Sequence, residues 1–339
     1  MKTLLRPRHK KNAPLPAWIE PMKATLTDDR FSKADWLFEP KLDGIRCIAY
    51  TQNKEVTLYS RRKLVMNETY PEIVEALQKQ KLSSFILDGE IVAFRPNSTV
   101  TSFETLQQRS GIHDASQARL SPVRVYFYVF DLLYADGKDW RPEPLIERKK
   151  ALEGLIQFSP LLRFTPHRTE RGEAYYAEAC RSGWEGLIAK RQASPYQSHR
   201  SSDWLKFKCV KEQEFVIGGF SDPEGGRNHF GALLLGHYDD EGHLCFAGKV
   251  GTGFNQDALS QLITALHKLE QKSSPYQTLD IPRRGLHWVK PILVAQIGFA
   301  EWTQDGKLRQ PRFKGLRSDK EPREVTREKS IPAGGRHGA

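Results

Sequence analysis

The texture of the chain changes near residue 209, and that change limits its possible folds more than any other feature. Before it, short segments rich in β-branched and aromatic residues alternate with segments of helical spacing. "DWLFEP" (35–40), "CIAY" (47–50), "VTLYS" (56–60), "FILDGEIVAF" (85–94) and "VRVYFYVFDLLY" (123–134) read as strands. "TYPEIVEALQKQ" (69–80) and "LIERKKALEGLI" (145–156) place apolar residues at helical intervals. From about residue 212, strand-like runs are separated by glycine-rich turns: "EFVIGGF", "GALLLGHY", "LCFAGKVGTG", "WVKPILVAQIGFAEWT" and "LRQPRFKGL". "QDALSQLITALHKLEQ" (256–271) is the one strong helix pattern among them. The expectation is an α+β domain over 1–209, a small β-barrel such as the OB-fold over 210–325, and a C-terminal tail over 326–339.

Charge narrows the function. The 339 residues hold 52 Lys and Arg against 41 Asp and Glu, a net charge of +11. A basic globular chain usually meets a polyanion. No apolar run approaches the ~18 residues of a membrane helix, so nucleic acid is favoured over a membrane. The N-terminal stretch is basic but too short in apolar residues for a signal peptide, and a cytoplasmic location is expected. The four cysteines form no C-x-x-C pair and read as reduced structural thiols.

Several charged residues stand in places that a simple core or surface does not require. In "DWLKFKC" (203–209), strand alternation puts Trp204, Lys206 and Lys208 on one face and Leu205, Phe207 and Cys209 on the other. A solvated lysine face is the ordinary outcome; a comb of cations for phosphate is the other. Asp88 and Glu90 share a face inside the apolar run 85–94, either as a turn at "DG" before an edge strand or as carboxylates at the lip of a cleft. Glu185 opens the run "WEGLIAKR" (184–191). Lys41 sits in "EPKLDGIR" beside Glu39, Asp43 and Arg46. Two carboxylates with the cations Lys41, Arg46, Arg61, Lys206 and Lys208 would suit a nucleoside triphosphate and Mg²⁺. No Walker A or G-x-G-x-x-G sequence is present, so side chains would hold the phosphates.

"KLDGIR" (41–46) resembles the K-x-D-G-x-R motif of the covalent nucleotidyltransferases, and of the ATP-dependent DNA ligases in particular. "LYSR" (58–61), "LDGE" (87–90), "YVFDLLY" (128–134), "EGLIAKR" (185–191), "WLKFK" (204–208) and "PRFKGLRSDKEPREV" (311–325) follow in that family's order. "WIEPMKATL" (18–26) is similar to the lead-in of bacterial end-joining ligases of the LigD-like type. The resemblance implies a nucleotidyltransferase (adenylation) domain of antiparallel sheets and helices followed by an OB-fold domain. It implies that Lys41 is the nucleophile that takes AMP. It places Glu39 at the adenine end of the pocket, with Leu42 also against the nucleotide. Arg46 and Arg61 are assigned to ribose and phosphate, Glu90 to the ribose hydroxyl or a metal, and Phe130 to the adenine ring. Glu185 is assigned to the divalent metal, Mg²⁺ or Mn²⁺, and Lys206 and Lys208 to the α-phosphate. In the OB domain, Arg317 and Lys320 resemble residues that orient pyrophosphate, with Lys314 competing for that role.

The implied reaction is ATP-dependent sealing of 5′-phosphate and 3′-hydroxyl breaks in duplex DNA, through lysine–AMP and then DNA–adenylate, in repair or end joining. A free lysine near pKa ~10.4 is almost wholly protonated at neutral pH, so Lys41 is expected to lie near Lys206, Lys208 and the metal, which lower that value. Lys190 is expected to matter far less. The basic stretches 307–329, with nine Lys or Arg against four acids, and 2–11, with five and none, would follow DNA phosphates. A monomer is expected, with a Ku-like end-binding protein as a partner implied by the resemblance. The rival readings are an RNA ligase or mRNA-capping guanylyltransferase, and a non-catalytic OB-containing nucleic-acid binder. His113, His167, His199 and His229 receive no role.

Overall fold

A computed structural model describes residues 13–223, 229–279, 281–282 and 284–331; the basic stretch 2–11 and the end of the tail lie outside them. Two compact units divide the chain, one running to Cys209 and rejoined from Ser330, the other Val210–Lys329. The first unit contains, in order, β1 (Lys23–Leu26), β2 (Trp36–Pro40), β3 (Ile45–Gln52), β4 (Glu55–Ser60), α1 (Pro71–Gln78), β5 (Ser84–Val92), α2 (Phe103–Ser110) and α3 (Ala115–Leu120). It continues with β6 (Tyr126–Ala135), β7 (Lys138–Asp139), α4 (Leu145–Leu155), β8 (Leu162–Phe164), β9 (Arg168–Thr169), α5 (Gly172–Arg181), β10 (Gly186–Arg191) and β11 (Arg200–Lys208).

Two sheets organise this unit. One has the order β1-β11-β10-β2-β9, the other β4-β3-β5-β6-β7 with β8 on β6. Most pairs are antiparallel, as the sequence implied, but β1–β11 and β6–β8 are parallel. Alternation sorts the side chains into layers. Trp36, Phe38, Leu187, Ala189, Leu205 and Phe207 leave the first sheet on one face and pack with Tyr175 and Ala179 of α5. Cys47, Ala49, Leu87 and Val129 leave the second sheet toward Ile73 and Leu77 of α1 and Leu106 of α2. Between the sheets a third cluster joins Ile48, Ile86, Phe130 and Leu133 to Trp204. The helices begin where the sequence supplies a start: Pro71 opens α1, and the Ser102 and Asp114 side chains accept from the N–H groups of Thr105 and Gln117.

The "DG" at 88–89 is not a turn. β5 runs unbroken between β3 and β6, and Asp88 is fully buried rather than at a cleft lip. The register steps from Asp88↔Asp131 to Gly89↔Val129, which leaves Phe130 as the extra residue of a β-bulge. Gly89 permits the close approach there: a Cβ would meet the Tyr128 carbonyl oxygen at 2.4 Å. The cysteine expectation is corrected as well. Cys180, near the end of α5, and Cys209, just past β11, form a disulfide, while Cys47 and Cys245 are free thiols. Twenty-nine residues separate the pair, and only the packing of α5 on the first sheet brings them together.

The second unit holds β12 (Glu212–Ser221), β13 (Leu233–Tyr238), β14 (Leu244–Val250), α6 (Gln256–Lys268), β15 (Glu270–Gln271), β16 (Leu286–Gly298), β17 (Glu301–Trp302), β18 (Leu308–Arg309) and β19 (Arg312–Leu316). Its main sheet has the order β14-β13-β12-β16-β15, with β19 on β16. This is the OB-fold domain that the glycine-punctuated strands suggested. Residues 326–329, read as the start of a tail, are tied to it: Thr326 bridges Tyr238, and Gln213 bonds the Thr326 carbonyl and the Glu328 N–H. Ile331 turns back to the first unit, donating its N–H to the Leu26 carbonyl. Among the described residues, no helix is long and apolar enough to cross a membrane.

Candidate active site

The facing surfaces of the two sheets carry several of the charged residues singled out in the sequence. On the first sheet, Glu39, Ile188 and Lys206 form one row across β2, β10 and β11. In the next row, the Lys41 N–H donates to the Gly186 carbonyl at 2.9 Å, and Gly186 lies opposite Lys208. Opposed residues share a face, so Glu39, Lys190, Trp204, Lys206 and Lys208 all belong to the face opposite the α5 core. Adjacent strands are about 4.8 Å apart, so each outer lysine lies about 10 Å across the sheet from β2. Gly186 is held at φ +146°, and a Cβ there would strike the Phe207 carbonyl oxygen at 1.9 Å; glycine allows β10 to run this close to β11.

Lys41 Nζ meets Glu185 Oε1 at 2.5 Å, with the side chains 20% and 8% exposed. Burial works to lower the ammonium's pKa, but Glu185, followed by Asp43 and Glu90, outweighs it and holds Lys41 above the ordinary lysine value. The expected cation-dominated surroundings are therefore corrected: Lys206 and Lys208 share its sheet face, yet the direct partner is a carboxylate. A cavity of about 180 Å³ opens beside Lys41, and Leu42, Thr101, Tyr128, Thr165 and Trp184 are among its lining.

From the second sheet, Arg46 forms a bidentate pair with Asp88 at 2.5 and 2.6 Å and also donates to the Met22 carbonyl. The Tyr196 hydroxyl donates to the same carboxylate at 2.6 Å. Glu90 is the next residue on this face and stands between Arg46 and Tyr128 in the strand register. The bulge aims Phe130 between the sheets, where its ring is 8% exposed and meets Trp204 edge-on at 6.0 Å. The Arg46 guanidinium and Lys190 ammonium lie 4.7 and 4.1 Å from the Phe130 ring centre.

Glu39 is fully enclosed. Its two carboxylate oxygens meet Lys149 Nζ at 2.5 Å and Lys190 Nζ at 2.6 Å. Burial opposes the charge, yet the two ammonium groups keep this carboxyl below its ordinary value. Lys190 is pushed down to about 8, by burial first and by Lys149, with Glu39 acting in the other direction. Lys190, treated in the sequence as a minor residue, is thus part of the buried centre and lies 4.0 Å from the Trp204 ring.

Arg61 is the exception within this unit, lying in the Ser60–Leu64 turn past the end of β4. The three cations proposed for pyrophosphate belong to the OB-fold unit, each with an acid of that unit. Arg317 pairs with Asp319 through two 2.8 Å bonds, Lys320 with Glu214 at 2.7 Å, and Lys314 with Glu212 at 3.3 Å. Sequence reasoning passed over Lys149, although a signal was available: it occupies the helical stripe Leu145, Lys149, Leu152, Ile156, where a core residue belongs.

A family model described as ATP dependent DNA ligase domain matches residues 21–208, and one described as ATP dependent DNA ligase C terminal region matches 226–320. The multifunctional non-homologous end joining protein LigD of Pseudomonas aeruginosa is 38% identical over 327 residues, covering 95% of this chain and 38% of that protein. The LigD of Mycobacterium tuberculosis, named as a multifunctional non-homologous end joining DNA repair protein, is 38% identical over 318 residues, covering 91% of this chain and 40% of that protein. The chain thus spans about two fifths of these relatives. A solved structure described as mycobacterial DNA ligase D complexed with ATP and MES matches with TM-score 0.65 at 34% identity, covering 91% of this chain and 98% of that one.

Proposed function

Because this chain belongs to the ATP-dependent DNA ligase family, we propose that it seals 5′-phosphate and 3′-hydroxyl ends in duplex DNA from an enzyme–AMP intermediate on Lys41. The observation that carries this reading is the partly exposed Lys41–Glu185 pair beside a cavity, on the sheet face that also bears Lys206 and Lys208. In the reading, residues 1–209 form the adenylation domain and 210–325 the OB-fold domain that acts with it.

The first requirement is a neutral amine. Glu185 holds Lys41 protonated, so the proton must leave and the carboxylate must find another positive partner before attack. Glu185 and Glu90 are the residues that would hold a divalent ion, Mg²⁺ or Mn²⁺, whose contribution when bound is to neutralise phosphate charge. A hard cation of that kind asks for one or two carboxylates and completes its shell with phosphate oxygens and water. Both acids bear on Lys41, and the described residues contain no group of three or more His, Cys, Asp or Glu suited to an all-protein cage. Lys206 and Lys208 offer positive charge to the α-phosphate. The Lys41 nitrogen then bonds to the α-phosphorus as the bond to pyrophosphate breaks. A DNA 5′-phosphate oxygen displaces Lys41 from AMP, and the 3′-hydroxyl oxygen bonds to that phosphate as AMP departs.

Adenine stacking on Phe130 requires Arg46 or Lys190 to yield one side of the ring. Arg61 reaches the ribose and phosphates from its turn, and Leu42 lies against the nucleotide from the cavity wall. In the OB-fold unit, Lys314, Arg317 and Lys320 must exchange their own acids for pyrophosphate. The names of the relatives support end joining. The proposal adds a Ku-like end-binding protein that presents the DNA to a monomeric enzyme in the cytoplasm. Incubation with α-labelled ATP or GTP, followed by a denaturing gel, tests the reading. Label from ATP in the wild type, and none in Lys41→Ala, is the expected result. Label from GTP points to capping chemistry instead, and absence of label from either leaves a nucleic-acid binder.

A further inference from the structure

Lys149 is a buried cation that the reaction as described does not use. It lies on α4 and is 1% exposed. Its ammonium has three protons and faces three oxygens from three parts of the fold: Glu39 Oε1 at 2.5 Å, the Thr165 carbonyl at 3.3 Å and the Phe130 carbonyl at 3.5 Å. Glu39 belongs to the strand that leads to Lys41. Phe130 is the bulged residue of the opposite sheet, and Thr165 lines the cavity beside Lys41. One side chain therefore ties together both walls of the candidate nucleotide site. Its neighbour Arg148 is occupied elsewhere: it pairs with Asp131 of β6 through two bonds and also donates to the Glu143 and Ser194 carbonyls. Stability alone would not call for a second ammonium on Glu39, because Lys190 already meets the other oxygen at 2.6 Å. Burying two cations on one carboxylate costs desolvation energy. What the second cation adds is a fixed orientation of the Glu39 carboxylate against Lys190 and the Phe130 ring.

We propose that Lys149 is a positioning residue for the nucleotide base, acting through Glu39 to set the preference for adenine over purines that lack its amino group. This rests on the ligase reading above, with Glu39 at the base end of the pocket. Lys149 touches neither base nor phosphate in this scheme. Its effect is to keep one Glu39 oxygen occupied and the carboxylate unable to rotate.

The test compares enzyme–nucleotide formation from ATP and from inosine triphosphate, as the ratio of kcat/KM values. It uses wild type, Lys149→Met, Glu39→Gln and the double variant. Wild type should favour ATP. Lys149→Met should shrink the ratio by about tenfold, a small part of the roughly 10⁴-fold discrimination that a site built around a hydrogen bond can reach, because Glu39 itself stays. Glu39→Gln should shrink it too, and the double variant should go no further, since residues acting through one another are not additive. A ratio unchanged in Lys149→Met, with both nucleotides slowed alike, means a purely structural role and overturns the proposal. Additive losses in the double variant overturn the route through Glu39. A wild type indifferent to the base overturns it as well. Should Lys149→Met not fold, Lys149→Arg carries the same ratio test, because it keeps the charge but shifts the donors. Failure of wild type to form any adduct, or an adduct surviving in Lys41→Ala, is a different result and sinks the ligase reading itself.

Discussion

The two units of this chain treat their charged residues differently. In the first, acids and bases converge between two sheets, in contact with aromatic rings and a cavity: Glu39 with Lys149 and Lys190, Arg46 with Asp88, Lys41 with Glu185. In the OB-fold unit, the cations of the final motif are paired one to one with acids from the same motif or from β12: Arg317 with Asp319, Lys320 with Glu214, Lys314 with Glu212. Two ammonium groups on the single Glu39 carboxylate hold excess positive charge among the rings. One-to-one pairs must open before their cations can serve an anion, and Lys41–Glu185 is one of them. A cation's partner thus says what has to be displaced before it can act, which its place in a motif does not.

Breaking each kind of pair sharpens the contrast. The largest effect should come from Arg148→Met, which leaves Asp131 buried and unpaired. Removing one partner of such a pair costs about 3–5 kcal/mol, read as loss of stability of the first unit in urea unfolding. Reducing the Cys180–Cys209 disulfide should cost about 3.6 kcal/mol for a loop of this size, seen as a lower Tm of that unit with reductant. An unchanged Tm would mean that the loop is already held by its packing. Glu185→Gln should slow adenylylation by about 100-fold, on the scale of a lost electrostatic contact at the reacting centre. The same change should make Lys41 acylate faster in nucleotide-free protein near neutral pH. With Glu185 neutral, the largest influence raising the amine's pKa is gone, and that pKa falls although Asp43 and Glu90 still act upward, so the sign of the two effects is opposite. Slower acylation in the variant would contradict the role given to Glu185.

A gentler probe is pH. Lys190 falls from 10.5 to about 8 on folding, so between those values the unfolded chain holds more protons than the folded one. Stability from this group therefore rises as pH climbs through that window. Lys41 adds no slope in this window: its raised value stabilises the fold fully below the ordinary lysine pKa, and that gain fades only above it, as pH rises toward the folded value. Urea unfolding at the two ends of the window should show Lys190→Met losing the upward contribution while wild type keeps it. The smallest effect belongs to Lys320→Met in the OB-fold unit. Its pair with Glu214 is partly exposed, and such pairs contribute about 0–1 kcal/mol; a larger loss would show that this account undervalues the pairs of the second unit.

Much of the fold was readable because strand alternation and glycine punctuation are local signals. β2, β3, β5 and β6 lie within a few residues of their expected places, and the change of texture at 209 falls where the two units divide. The motif order also led to Lys41 and Glu185, which do meet. The misreadings were of pairing, which is not local. Asp88 in "LDGE" looked like a turn because "DG" usually is one, but Arg46 and Tyr196 satisfy the carboxylate inside the sheet. Lys190 looked incidental because Glu39 and the Phe130 ring, which it meets, are distant in sequence. The disulfide was hidden for the same reason. Lys149 alone left a local trace, a lysine in the core stripe of a helix.

Lys41, held protonated by Glu185 until nucleotide binds, is the residue proposed to accept AMP. Peptide mapping by mass spectrometry tests it most directly. Protein stripped with pyrophosphate and then supplied with ATP and magnesium should carry a single adenylyl group on the peptide containing Lys41, and fragmentation should place it on that side chain. An adenylyl group on any other residue, or none after complete recharging, would contradict the account.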